Sequence, residues 1–141
     1  MKEKTLKDFF EGYITAYDLA DDLSDIKDRK NFDIADYYVR DLKEEYEITS
    51  ECLIKICDAV LNGTIVPNLL EAIGFCLIAS DYFSWDGDTP DGFKVSEITS
   101  WWSAPKINYQ LNEESVKKFK QFLETGKYDA LHGCRVWKGT P

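Results

Sequence analysis

The residues best suited to chemistry are carboxylates crowded into one short stretch. Asp81, Asp86, Asp88 and Asp91 fall between residues 81 and 91, and the last three sit in the turn DGDTPDG. Closely spaced carboxylates between two helices invite comparison with a calcium loop, whose oxygens come from fixed positions. With Asp86 at the first position, Asp88 takes the third and Glu97 the last. Pro90 then holds the fifth position, however, and Asp91 stands where the sharp turn needs glycine. A shift of one residue places Asp91 and Gly92 correctly but puts Ile98 where the final glutamate belongs. Neither register makes a calcium site, and no metal is expected. Two readings remain for this turn: an exposed Asp/Gly/Pro connection, or an acidic contact surface for a basic partner.

Trp85, Trp101 and Trp102 lie beside these acids. Tryptophan is enriched at interface hot spots, and neighbouring aspartates can hold Lys or Arg. Trp102 continues the apolar stripe of Val95 and Ile98 and is expected in the core. Trp101 points off that stripe and Trp85 lies in the turn, so both join Asp81, Asp86, Asp88 and Asp91 as candidate partner contacts. A second acidic group, Asp18, Asp21, Asp22 and Asp25, flanks an early helix and is the other candidate surface.

Catalysis finds little support. His132 is the only histidine, and Cys134 two positions away has no third group to orient it as nucleophile or base. Those two residues are also too few for zinc. The chain contains neither GxxxxGK[ST] nor GxGxxG, and carboxylate pairs are too common in so acidic a chain to single one out. Cys52, Cys57, Cys76 and Cys134 lack CxxC spacing, and they read as small buried hydrophobes rather than disulfides or ligands. The expectation is a protein that is not an enzyme and takes no cofactor.

Charge narrows the partner. The net charge is −9 and uneven: residues 1–48 carry 14 acids and 8 bases, residues 49–91 carry 7 acids and 1 base, and residues 92–141 carry 5 acids and 8 bases. An acidic body disfavours direct nucleic-acid binding, which relies on cations against phosphate. It favours a cationic protein, because complementary fields speed encounter. Solubility alone explains the same charge.

The elements that must position these residues read as helices. Leu6, Phe9, Phe10 and Tyr13 form a first amphipathic stripe stopped by Gly12, and Thr15 with Asp18 makes a capping pattern for a second helix bearing Leu19, Leu23 and Ile26. Residues 27–31 form a polar connection. Ile34, Tyr38, Leu42 and Tyr46 predict a third helix. Thr49 or Ser50 caps a fourth, whose stripe is Leu53, Ile56, Cys57, Val60 and Leu61, ending at Gly63. Pro67 then opens the central segment 69–83, whose first part carries Glu71 as its only charge and should be buried all round. Val95, Ile98 and Trp102 mark the next helix, closed by Pro105. Asn112 caps the last, with Val116, Phe119 and Leu123 inward and Gly126 at its end.

No segment alternates in the strand period. The spacing therefore predicts an all-α fold, a compact bundle of about six or seven helices around a central buried helix (69–83). A single helical domain is expected over 1–126, with an irregular C-terminal tail over 127–141. No apolar run reaches the ~18 residues of a membrane span, and the N-terminus lacks the apolar core of a secretory signal. A cytoplasmic protein is expected.

Two segments resemble bacterial toxin-immunity proteins. LKDFFEGYITAYDLADDL (6–23) resembles the opening of the colicin D-type proteins, with Gly12-Tyr13-Ile14-Thr15-Ala16 as the turn between two helices. ITSWWSAPKINYQLNEESVKKFKQFLETG (98–126) resembles immunity-like proteins in which a WxxPxIN segment, here Trp102, Pro105, Ile107 and Asn108, precedes the last helix. The resemblance covers about a third of the chain. It implies a helical inhibitor that masks the active site of a bacteriocin or contact-dependent toxin, often a basic RNA-cleaving domain. The acidic composition suits that role, with carboxylates standing in for substrate phosphates. The alternative is a helical binding or adaptor module unrelated to toxins.

Overall fold

A computed structural model of the chain describes residues 1–27 and 39–128, with side chains described for 1–23 and 39–128. The described part is mainly helical, and it also holds a small parallel sheet that the helical periodicity does not announce. The order is α1 (Glu3–Glu11), α2 (Ala16–Lys27), β1 (Tyr46–Glu47), α3 (Ser50–Leu61), a 3-10 turn (Pro67–Leu69), α4 (Leu70–Ala79), β2 (Phe83–Ser84), α5 (Pro90–Ser103) and α6 (Glu113–Thr125).

Helix α1 ends where glycine was expected to stop it. Gly12 donates to Phe9 O at 3.1 Å and Tyr13 donates to Asp8 O at 2.9 Å, the paired bonds that close a helix on a left-handed residue. Tyr13 consequently does not continue the Leu6–Phe9 stripe, and it is 79% exposed. Thr15 and Asp18 then start α2: the Thr15 N–H and Oγ1–H both donate to Asp18 Oδ2, at 2.9 and 3.0 Å. Leu19 and Leu23 turn into the core as expected. Of the expected third helix, Ile34 and Tyr38 lie outside the described residues. Leu42 sits in non-helical chain and Tyr46 opens a strand, so that stripe is not helical across its second half.

The sheet explains why. β1 and β2 run parallel with Tyr46 opposite Phe83 and Glu47 opposite Ser84, bonded through Tyr46 N to Tyr82 O (2.8 Å) and Ile48 N to Ser84 O (2.9 Å). Parallel strands need a long crossover, which α3 and α4 supply. Phe10 of α1 stacks on Tyr46, with ring centroids 6.3 Å apart and planes 7° apart, and Phe83 meets both rings edge-on.

The central segment 69–83 is therefore not one helix. It is the end of the 3-10 turn, then α4, then β2. Ser80 breaks α4 with an extended backbone, and its hydroxyl oxygen accepts from Tyr82 N (3.1 Å) and Phe83 N (3.2 Å). The same hydroxyl donates to Glu3 Oε2, while Glu3 Oε1 accepts from Leu42 N at 3.1 Å. Glu3 is only 1% exposed. A buried carboxylate is tolerated when its lone pairs are filled, and here it joins α1, the segment before β1 and the end of α4.

Helix α4 packs mainly on α5, and α3 on α6. The α4–α5 contact is close enough to need Gly74, where a Cβ would sit 2.8 Å from Trp102 Cβ and 2.9 Å from Ser103 N. Burial of α4 is not complete all round, since Ile78 remains 48% exposed. Helix α6 begins with a reciprocal cap: Asn112 Oδ1 accepts from Ser115 N (2.8 Å) and Ser115 Oγ accepts from Asn112 N (3.1 Å). It ends at Gly126, and Val116, Phe119, Phe122 and Leu123 are buried. Of the expected irregular tail, Tyr128 packs against Phe122 and Trp101 at 5.1 and 6.3 Å between ring centroids, and 129–141 lie outside the described residues. Among the described residues no helix is long and apolar enough to cross a membrane.

Candidate functional site

The acidic turn is organised by its own hydrogen bonds. Asp86 Oδ1 accepts from Asp88 N (3.0 Å), and the Asp86 carbonyl accepts from Thr89 N (3.1 Å) and Thr89 Oγ1 (2.8 Å). Thr89 Oγ1 in turn accepts from Gly92 N (3.0 Å), making Thr89 the N-cap of α5 with Pro90 in the first turn. Gly92 folds tightly over the turn, where a Cβ would lie 1.8 Å from the Asp86 carbonyl oxygen. Among the described residues no group of three or more His, Cys, Asp or Glu side chains converges as a metal site.

Asp91 faces inward to another helix. Its carboxylate accepts from Ser50 N (3.1 Å) and from the Ser50 hydroxyl, so it caps the first residue of α3 from across the fold. Thr49 holds the N-cap position there without a capping bond from its own side chain. Asp91 thus serves as a tie between α5 and α3, and its contribution to an outward acidic surface is small.

The tryptophans are also drawn in. Trp101, a candidate contact in the sequence reading, is buried at 7% exposure against Phe122 (5.1 Å between centroids), Tyr109 (4.9 Å) and Phe119 (6.2 Å). Helix α5 lies between α4 and α6, so it buries two faces: Trp102 meets Gly74 of α4 and also Phe119 of α6, and Trp101 meets Phe119 and Phe122 of α6. Trp85 is half-buried, pinned by its Nε1–H to Ser96 Oγ at 2.8 Å. That leaves Asp81, Asp86 and Asp88 as the exposed part of this region. Asp81 pairs with Arg40 at 3.7 Å, and both side chains are solvated enough for salt to screen the pair.

The second acidic group divides similarly. Asp18 is exposed and closes the α2 cap with Thr15, Asp21 is exposed, and Asp22 is half-buried with its Oδ2 accepting from Lys2 N at 2.8 Å. The side chain of Asp25 is outside the described set. What the sequence reading missed is the company these acids keep. Tyr13 and Tyr17 are 79% and 72% exposed, beside Asp18 and Asp21 in the chain. Tyrosine is a hot-spot residue, apolar along the ring and polar at its tip. The signal was present, because a helix that stops at Gly12 cannot carry Tyr13 on its inner stripe.

One member of the second acidic group, Asp22, and the residue before Asp81 both bond the start of α1: Lys2 N donates to Asp22, and Glu3 bonds Ser80. Compared with known proteins, the chain matches no family model, no curated protein and no solved structure.

Proposed function

We propose that this chain is an immunity protein that binds and neutralises a cognate bacterial toxin domain, a basic RNA-cleaving nuclease, in the cytoplasm. It does so by covering the toxin's active site with an acidic surface, the carboxylates occupying the places of substrate phosphates. The observation that carries this reading is the pairing of exposed acids with exposed aromatics. Asp18 and Asp21 stand beside Tyr13 and Tyr17, with Asp86 and Asp88 exposed on the turn before α5. The folded chain draws Asp91, Trp85 and Trp101 into its own packing; Asp18 and Asp86 serve a local cap and turn, yet with Asp21, Asp88, Tyr13 and Tyr17 they remain exposed. Solubility alone explains the acids; Tyr13 and Tyr17, four positions apart and the two most exposed large hydrophobics among the described residues, add aromatic surface of the kind that interface hot spots use. The resemblance of residues 6–23 and 98–126 to immunity proteins supports the same class.

Specificity for a cationic nuclease follows from charge complementarity, which accelerates encounter and rejects anionic partners. The test is co-production with the protein encoded beside this gene, in cells that the latter kills alone. Protection, together with a stable purified complex, is expected. A neighbouring product that is harmless, or one that kills regardless of this chain, contradicts the reading.

A further inference from the structure

A groove of about 460 Å³ opens between the end of α1, β1 and α3, lined by Phe10, Tyr46, Thr49, Cys52 and Ile54, with Glu51 and Asp58 along it and Lys55 as the one cation of its described lining. We propose that this groove takes an arginine side chain from the cationic partner, laid along the Phe10–Tyr46 aromatic wall and held by the Glu51 carboxylate. This rests on the reading above for the partner's charge, and it adds where on the molecule one of its side chains seats.

Each wall has its own argument. Phe10 and Tyr46 both line the groove, and their rings are nearly parallel, at 7°, so a planar guanidinium aligned with one is aligned with both. Tyr46 already draws one cation of the chain, since Lys7 Nζ lies 5.6 Å from its ring centroid. Two other cations described nearby are engaged: Lys55 donates to Phe9 O and lies over the Phe9 ring, and Lys120 Nζ pairs with Asp58 at 2.7 Å. Glu51 is exposed in the first turn of α3, Glu47 is exposed on β1, and Glu11 is close enough to act on the Tyr46 hydroxyl. A partly aromatic groove of mixed polar and apolar lining, with the Glu51 carboxylate open on it, matches arginine better than lysine, because arginine can stack and pair with a carboxylate in one geometry.

The experiment needs no knowledge of the natural partner. An oligo-arginine peptide is titrated into the isotopically labelled full chain at low salt, with an oligo-lysine peptide of equal length as comparison. Amide shifts are expected to concentrate at Tyr46, Cys52 and Ile54, with arginine binding about tenfold tighter than lysine. Glu51→Lys should weaken arginine binding about tenfold, while Glu113→Lys, equal in charge change but on α6, should weaken it about twofold or less. Equal losses from both variants, shifts spread over the acidic surface, or no binding by the wild-type chain would overturn the groove. The shift map on the unmodified protein decides the matter even if a variant misfolds. Failure of the toxin reading shows separately, as absence of protection in cells, and leaves the peptide result standing.

Discussion

Asp91 and Ser50 lie 41 positions apart, yet the Asp91 carboxylate receives both the backbone N–H and the hydroxyl of Ser50. A residue whose type and setting suggest an outward acid is therefore a cap for α3. This separates Asp91 from Asp88, three positions earlier on the same turn. Replacing Asp91 with alanine strands a helix-terminal N–H and a buried hydroxyl. It should lower unfolding free energy by about 2–3 kcal/mol, read as a lower midpoint in urea. Asp88→Ala should shift stability by no more than about 0.5 kcal/mol. Equal costs at the two positions would show that the tie is not what distinguishes them.

The α4–α5 contact gives a second test. An added methyl at Gly74 meets Trp102 Cβ at 2.8 Å and the Ser103 backbone at 2.9 Å, and a backbone has little room to retreat. Gly74→Ala should cost about 1–3 kcal/mol by overpacking, although alanine is the better helix former. Thermal melting of the variant against wild type checks this. An unchanged or raised Tm would mean the two helices are not so closely seated.

Thiol chemistry reports on the core. Burial pushes the Cys57 and Cys76 thiols well up, with Asp58 adding to the effect at Cys57 and Glu3 at Cys76. The thiolate is the reactive form, so both should resist an aromatic disulfide reagent at neutral pH until the protein unfolds. Half-buried Cys52 should react sooner in the native state. Mass mapping of the labelled cysteines over time distinguishes them, and early labelling of Cys76 would contradict its place behind Glu3 and Ser80.

Alkaline titration addresses the sheet. Burial, followed by the influence of Cys52 and Glu11, raises the Tyr46 hydroxyl from 10.0 to about 12. The folded state thus favours the protonated phenol. The stabilisation is full below pH 10.0 and is lost as pH rises through about 12. Ultraviolet difference titration should show a tyrosine ionising near the upper value that Tyr46→Phe removes. Ionisation of every tyrosine near the ordinary value would place Tyr46 outside the Phe10–Phe83 cluster.

What was legible in the sequence follows from how far each signal extends. Helix α6 was fully marked, because Asn112, the Val116–Phe119–Leu123 stripe and Gly126 are local features that agree. The strands were not, since two residues each cannot display a period, and Tyr46 happened to fall four positions from Leu42. Trp101 looked like a surface residue because one stripe was assumed for a helix that packs on two sides. Glu3 could not have been placed inside from its own type: its partner Ser80 lies 77 positions away. The acidic turn was located correctly as a turn. Which of its carboxylates the fold would use for itself depended on Ser50, and no local pattern joins them.

The central claim is that the exposed acids receive a cationic toxin domain, and association kinetics test it most directly. The rate constant for binding the nuclease domain encoded beside this gene should be measured from low to high ionic strength, for wild type and for a variant with Asp18, Asp21, Asp86 and Asp88 changed to asparagine, which removes the charges and keeps acceptors for the α2 cap and the turn. The account predicts a wild-type rate that falls steeply with added salt, and a variant that associates at least about tenfold more slowly at low salt with much of that slope gone. A rate indifferent to salt, or a variant that binds as fast as wild type, would contradict it.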